Sequence, residues 1–344
     1  MKRILICCCC CWLLSATTLM SQQPFRVMFY NVENLFDTRN DTLKEDEQFL
    51  PDGFMHWTPY KYWEKLRNIT RVITAVGGMY SPAVVGLCEV ENDSVLTDLT
   101  LRSPLRVQGY RYIVTDSPDE RGIDVALLYQ PHQFRLLDAS EYRISFRHPE
   151  RRPTRNILHA VGTVVSGDTL DLFVCHFPSR SEGQQETEPA RIDAASLLRE
   201  KCDSIISLRE YPHILIMGDF NDHPDDKSLS RVLGALRADA SPERDKLYNL
   251  FHGDRKNGAT GTYKYRGRWE ILDQFIVSGN LMMPGSRIRI RGDSAEIFRA
   301  PFLLEEDERY YGLKPYRTNL GPRYLGGFSD HLPIRMELMI GHTE

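Results

Sequence analysis

The chain has 344 residues, with 43 Lys and Arg against 47 Asp and Glu, and 42% of its residues are hydrophobic. Those proportions exclude a disordered tail, a collagen-like fibre and a small disulfide-stapled scaffold. A net charge of −4 gives no global attraction to a polyanion, so any phosphate binding must come from local clusters.

Lys2 and Arg3 precede an uncharged run from Ile4 to Leu14, and the small residues Ser15, Ala16, Thr17 and Thr18 follow. This pattern describes a secretory signal peptide cleaved near Ser21. A membrane span needs ~20 apolar residues, more than this run provides. The expectation is an exported protein, periplasmic or extracellular, with residues 1–21 as signal and 22–344 as one monomeric domain without stable membrane insertion. Lipid attachment is disfavoured, because Cys7 follows Ile6 and each of Cys8 to Cys11 follows another cysteine. Loss of the signal leaves Cys88, Cys175 and Cys202, an odd number that argues for buried free thiols and against a disulfide framework.

Along the remaining chain, Phe25–Tyr30 reads as a strand ending in the polar turn Asn31–Asn34. Tyr62 to Val76 reads as a helix, with Trp63, Leu66, Ile69, Ile73 and Val76 recurring on one face. Val84–Cys88 is a buried strand ending at Glu89, and Ile123–Tyr129, Leu158–Val165 and Leu170–Phe177 read as further strands. A second helix is expected from Pro189 to Leu208. His213–Met217 then runs straight into Gly218-Asp219-Phe220-Asn221, and Ile271–Val277 and Leu332–Leu338 complete the series. No Pro/Gly/Ser-rich linker divides the chain and no internal repeat is found. Two packed sheets with helices outside accommodate this order best.

Polar residues interrupt these apolar runs at their ends: Asn31, Glu89, His176, Asp219 with Asn221, Asp273, and Asp330 with His331. A charge in such a place is costly unless it is paired or bound to metal. Any one of them alone is explained as a cap, a turn residue or a hydrogen-bonded core histidine. Together they are chemically coherent. Several carboxylates, two side-chain amides and two imidazoles suit a hard cation, Mg²⁺ or Mn²⁺, with histidine left for proton transfer. The chain lacks a P-loop, a G-x-S-x-G elbow and an HExxH pair, and has no CxxC outside the signal, which argues against other common hydrolase chemistries.

The ordered string Tyr30-Asn31, Leu87-Cys-Glu89, Val174-Cys-His176, Gly218-Asp-Phe-Asn221, Leu272-Asp273 and Ser329-Asp-His331 resembles the endonuclease/exonuclease/phosphatase superfamily. The Tyr-Asn-Val-Glu-Asn-Leu-Phe opening is similar to its secreted bacterial branch. The resemblance implies a four-layer α/β/β/α sandwich of two packed mixed sheets flanked by helices. It also implies metal-dependent attack of water on phosphorus. In that scheme Glu89 is the principal metal ligand, aided by Asn31 and Asp330. Asp219 and Asn221 position or deprotonate the water, His331 is the catalytic imidazole, Asp273 orients it, and His176 binds a non-bridging phosphate oxygen. Two departures stand out: Cys88 precedes Glu89 where many relatives carry Gln, and Gln274 follows Asp273 where relatives often have Tyr or His.

For the substrate, the sequence offers Arg121, the basic and aromatic run Tyr263-Lys264-Tyr-Arg266-Gly-Arg268-Trp269, and the cluster Arg143, Arg147, Arg151, Arg152 and Arg155. Arginine suits bidentate phosphate contact and aromatic rings suit stacked bases. The expected substrate is therefore a phosphodiester, nucleic acid first, with Arg121, Lys264, Arg266 and Arg268 contacting it. Sphingomyelin and inositol phosphates are the alternatives on the same fold, and a catalytically inactive secreted binding protein is the alternative of another class. The segment Arg299–Tyr324 reads as a lid or rim loop.

Overall fold

The computed structural model describes residues 24–148, 150–238, 241–252, 260–292 and 295–341. The expected signal peptide lies outside the described residues. The first half contains β1 (Phe25–Leu35), α1 (Pro59–Gly77), β2 (Val84–Val90), α2 (Asp93–Thr97), β3 (Arg111–Val114), β4 (Asp124–Tyr129), β5 (Phe134–Tyr142), β6 (Ile157–Val164) and β7 (Thr169–His176). Next come α3 (Gln184–Leu208), β8 (Ile214–Asp219), β9 (Ala235–Arg237), β10 (Leu247–Asn249), β11 (Tyr263–Tyr265), β12 (Arg268–Glu270) and β13 (Asp273–Ser278). The last are β14 (Ile288–Ile290), β15 (Glu296–Ile297), β16 (Leu304–Glu306), β17 (Leu313–Pro315), β18 (Asn319–Leu320), β19 (Arg323–Tyr324) and β20 (Ile334–Ile340).

Two seven-stranded mixed sheets carry the fold: one in the order β14-β20-β1-β2-β4-β3 with β15 also on β20, the other β5-β6-β7-β8-β13-β10-β9. Their central strands are buried on both faces, which is why they read as continuous apolar runs. Val27 and Phe29 of β1 point between the sheets, where they meet Leu172, Val174, Leu215 and Met217 of the second sheet. Met28 and Tyr30, one residue out of phase, pack instead against Leu66, Ile69 and Ile73 of α1. On the far side, Phe173, Ile214 and Ile216 meet Ala194, Ala195 and Leu198 of α3. The result is the expected α/β/β/α sandwich. Cys88, Cys175 and Cys202 are all buried and unbridged. Among the described residues, no helix is long and apolar enough to cross a membrane.

α1 starts after Thr58 with Pro59 in its first turn and stops where Gly78 turns to φ 61°, a conformation that costs glycine little. α3 begins at Gln184, five residues before the expected start, and carries Pro189 inside it. β5 is absent from the sequence reading because its burial is low and irregular, leaving no clean alternation to detect.

β8 lies between β7, parallel to it, and β13, antiparallel to it. Its register pairs His176 with Asp219 and Asp219 with Asp273, so three of the candidate site residues end side by side. Gly218 permits that close pairing: a Cβ there would stand 2.5 Å from the Cys175 carbonyl oxygen. Gly218→Ala should therefore cost ~1–3 kcal/mol of stability by urea denaturation, through overpacking against backbone. An unchanged midpoint would show that the strands separate freely at this point.

Candidate active site

The ends of β1, β2, β7, β8 and β13, with the turn before β20, form one cleft of about 600 Å³ lined by Glu89, His176, Asp219, Asn221, Asp330 and His331. Asn31 and Asp273 lie just beneath, both buried. Strand irregularities aim the outer residues. The ladder shifts between Cys88 and Val90, so Glu89 sits in a bulge at φ 62°, and Asn221 follows β8 at φ 51°. Non-glycine residues held at positive φ are strained, and a bulge re-aims a side chain at a strand end.

Asp219 is the hub. Its Oδ2 accepts from Asn31 Nδ2 at 3.1 Å and lies 3.7 Å from His176 Nε2 and 3.8 Å from His331 Nε2. Its Oδ1 accepts the Asn221 backbone N–H at 3.0 Å. His331 is fixed from behind by Asp273, whose Oδ2 lies 2.7 Å from Nδ1, and Tyr263 packs its ring 4.9 Å from the imidazole. Ser329 anchors the turn, accepting from His331 N and donating to the Asn31 carbonyl at 2.7 Å.

The electrostatics divide the two imidazoles. Burial alone would lower the His331 pKa, but Asp273 and Asp219 outweigh it and hold the ring charged. Burial, with Arg155, Arg121 and His331 nearby, keeps His176 well below the ordinary value, so that ring is neutral. Burial also pushes the Asp219 carboxyl up, against the opposing pull of His331. The Tyr263 hydroxyl is pushed up to about 12, chiefly by burial.

The residues fit a hard divalent cation. Glu89 keeps its carboxylate in the cleft, accepting from Asn31 Nδ2 at 3.3 Å and the Asn34 backbone at 2.9 Å, with lone pairs to spare. Donor atoms of Asp219, Asp273 and His331 lie within 4.8 Å of one another, as do those of Cys88, His176 and Asp219. The carboxylate oxygens of Glu89, Asp219 and Asp273 suit a hard ion, which would offset their buried charge, whereas the Cys88 group adds only sulfur and nitrogen to the Asp219 oxygen. Asp330 reaches the cleft but is also ion-paired to Arg317 at 3.1 Å.

The expected substrate contacts separate. Arg121 lines the cleft, 3.4 Å from Asp119. Lys264 turns away: its ammonium meets Asp307 at 2.8 Å and the Tyr311 carbonyl at 2.9 Å. Arg266 occupies the hairpin turn at φ 47° with its guanidinium over Tyr265, and Arg268 lies exposed on β12, neither lining the cleft. Tyr263 and Tyr265 face the cleft instead, since residues two apart on a strand share a side. The sequence reading missed Arg180, which lines the cleft and pairs with Glu270, and Arg317, which bridges Asp330 and buried Glu33. Arginines in polar loops gave no signal that could have singled them out.

The fold and this cluster define a phosphoesterase scaffold, and the family comparison agrees. A model of the Endonuclease/Exonuclease/phosphatase family matches residues 26–340, and the chain belongs to that family. Among solved structures it is similar to the mannosyl-6-phosphatase Bt3783 of Bacteroides thetaiotaomicron VPI-5482, at 16% identity over 91% of this chain and 99% of that one, TM-score 0.55. Another family protein from Bacteroides thetaiotaomicron matches at 15% identity over 92% and 94% of the two chains, TM-score 0.55. TDP2 of D. rerio, solved with a single-strand DNA product, matches at 17% identity over 92% and 99%, TM-score 0.54. At these identities the likeness is one of fold. No curated protein sequence matches.

Asp273→Asn should bring the His331 pKa clearly down towards the ordinary histidine value, read from imidazole NMR signals across a pH series. A value that stays high would show that Asp219 alone holds the ring charged.

Proposed function

We propose that the protein hydrolyses phosphate esters with a bound divalent cation, Mg²⁺ or Mn²⁺, and that its substrate is a compact ester. The observation that carries the reaction type is the convergence of Asn31, His176 and His331 on Asp219 Oδ2, with Asp273 behind His331. Glu89, with Asn31 and Asp330, would hold the cation, which supplies Lewis-acid stabilisation of the phosphoryl oxygens.

The chain's own groups account for the rest. Asp219, steadied by the Asn221 backbone, orients the attacking water and takes its proton as attack proceeds. Neutral His176 offers Nε2–H to a non-bridging oxygen. His331, held charged by Asp273, presents Nε2–H to the negative charge that develops as the P–O bond to the alcohol breaks, and gives that proton to the departing oxygen.

Charge in the cleft bears on the substrate. Its lining holds the carboxylates Glu89, Asp219, Glu270 and Asp330 but the arginines Arg121 and Arg180, each paired to an acid. A polynucleotide backbone is drawn along a track of unpaired positive charge. This distribution favours a single ester group in a pocket over a long strand on a surface. A second reading, cleavage of single-stranded nucleic acid, is favoured by Tyr263 and Tyr265, whose rings could stack bases at the mouth. A lipid substrate has the weakest support, because the lining is polar. Export of the chain from about Gln22 belongs to the same proposal and rests on the pattern of residues 1–21.

The test is hydrolysis of p-nitrophenyl phosphate, bis-p-nitrophenyl phosphate and single-stranded DNA by the chain from Gln22, with Mg²⁺, Mn²⁺ or EDTA. His331→Ala is expected to lose ~10²–10⁴-fold in kcat, and His176→Ala ~10²–10³-fold. Activity surviving EDTA, or a near-intact His331→Ala, would sink the mechanism. The rate on small esters should change little between 50 and 200 mM salt, whereas polynucleotide binding would fall by ~10³-fold or more if it used several phosphate contacts.

A further inference from the structure

A second, larger cavity of about 900 Å³ adjoins the catalytic cleft, and Arg121, Ser179 and Ser181 line both. Its volume falls within the range of small-molecule sites, ~300–1,000 Å³. The arginine cluster singled out in the sequence supplies much of its wall, through Arg151, Arg152 and Arg155. Each of these cations already has a carboxylate. Arg155 lies 3.2 Å from Asp119, Arg152 3.0 Å from Glu120, and Arg151 3.6 Å from Glu182. Arg121 shares Asp119, and His148 lies 3.4 Å from Glu150.

A second phosphate would meet five carboxylates against four arginines on this wall, Asp119, Glu120, Glu150, Glu182 and Glu186, and to reach the buried Arg155 guanidinium it would have to part it from buried Asp119, which is costly. An acyl chain is equally ill matched, because charged groups dominate the wall. A hydroxyl group both donates and accepts, so it can enter between an arginine and its acid, accepting from one and donating to the other. Half-buried Phe146, with Pro153, Pro178 and Pro189, adds apolar surface against which the C–H face of a ring can rest.

We propose that this cavity binds a neutral polyhydroxylated group, such as a glycosyl unit, carried by the ester whose phosphate sits in the catalytic cleft. The proposal rests on the phosphoesterase reading for its reaction but not for its binding. The cleft takes the phosphate, and the adjoining cavity selects the alcohol attached to it.

Two measurements on the chain from Gln22 separate the claims. The first compares kcat/KM for hexose 6-phosphates, glycerol phosphate, nucleoside monophosphates and p-nitrophenyl phosphate with Mg²⁺ present. The second follows binding of phosphate-free methyl glycosides in EDTA by saturation-transfer NMR. The expected result is a preference of about tenfold or more for hexose phosphates over glycerol phosphate, as for a site built around substrate hydroxyls. Methyl glycosides should bind at roughly millimolar concentration. Glu182→Gln and Phe146→Ala should each lower the ratio of hexose phosphate to p-nitrophenyl phosphate hydrolysis. Ester hydrolysis without preference for hexose phosphate, and without glycoside binding, overturns the proposal and leaves the phosphoesterase reading intact. Glycoside binding that weakens in Glu182→Gln, with no ester hydrolysed, upholds the cavity and overturns the phosphoesterase reading. A preference for nucleoside monophosphates or single-stranded DNA overturns the proposal.

Discussion

Asp219 is a carboxylate almost wholly removed from water, and the architecture around it answers the cost of putting it there. An isolated buried charge is costly unless it is paired and hydrogen-bonded. Here it is held by an amide from β1 and a backbone N–H from the turn after β8, and it faces the charged imidazole of the turn before β20 at 3.8 Å, with the neutral ring of β7 3.7 Å away. These groups come from both sheets. Loss of register in any one strand would leave the charge exposed to the core, so the fold and the site constrain each other. Burial still pushes the Asp219 carboxyl up, against the pull of His331 and the hydrogen bonds from Asn221 and Asn31.

A second buried charge network ties the catalytic turn to the outer layer. Lys65 of α1 donates to Thr318 and, at 2.7 Å, to the Phe328 carbonyl. Glu33, just past Asn31, accepts the Thr318 backbone at 2.6 Å and pairs with Arg317, whose other partner is Asp330. Burial lowers the Lys65 pKa to about 8, with Glu33 and Asp330 opposing. The segment that reads in sequence as a lid or rim loop is thus pinned by its far end to α1 and β1. Its Phe302, Leu304, Tyr316 and Tyr324 pack onto the apolar cluster around α1. It is a buttress, and it carries the arginine that restrains Asp330.

What the sequence reveals follows from contrast. Asn31, Glu89, His176, Asp219 and Asp273 each break an apolar run, so a polar residue stands out against its neighbours. Strands with one weakly buried face, such as β5, offer no such contrast, and neither do arginines set among polar loop residues. Arg180 lines the cleft and Arg317 pairs with Asp330 by position in space, and both are ordinary by position in sequence. The run around Lys264 misleads for a different reason. Adjacent residues on a strand face opposite sides, so a mixed stripe of cations and tyrosines is sorted by the pleat, with the tyrosines toward the cleft and Lys264 toward Asp307.

The same sorting governs the arginine cluster. Counted along the chain, Arg151, Arg152 and Arg155 look like an anion site. In space they meet Glu182, Glu120 and Asp119, brought in from the β7–α3 connection and from the loop before β4. Positive charge attracts phosphate only where it exceeds the negative charge around it, and although Arg121 and Arg155 share Asp119, the cavity as a whole sets four arginines against five carboxylates. Unbalanced negative charge is instead concentrated beside Glu89 and Asp219, where a cation would sit. The adjoining cavity offers hydrogen bonds without an excess of positive charge. On the proposed reading, a chain of this charge would hold one phosphate beside a cation and discriminate by the neutral part of the molecule that bears it.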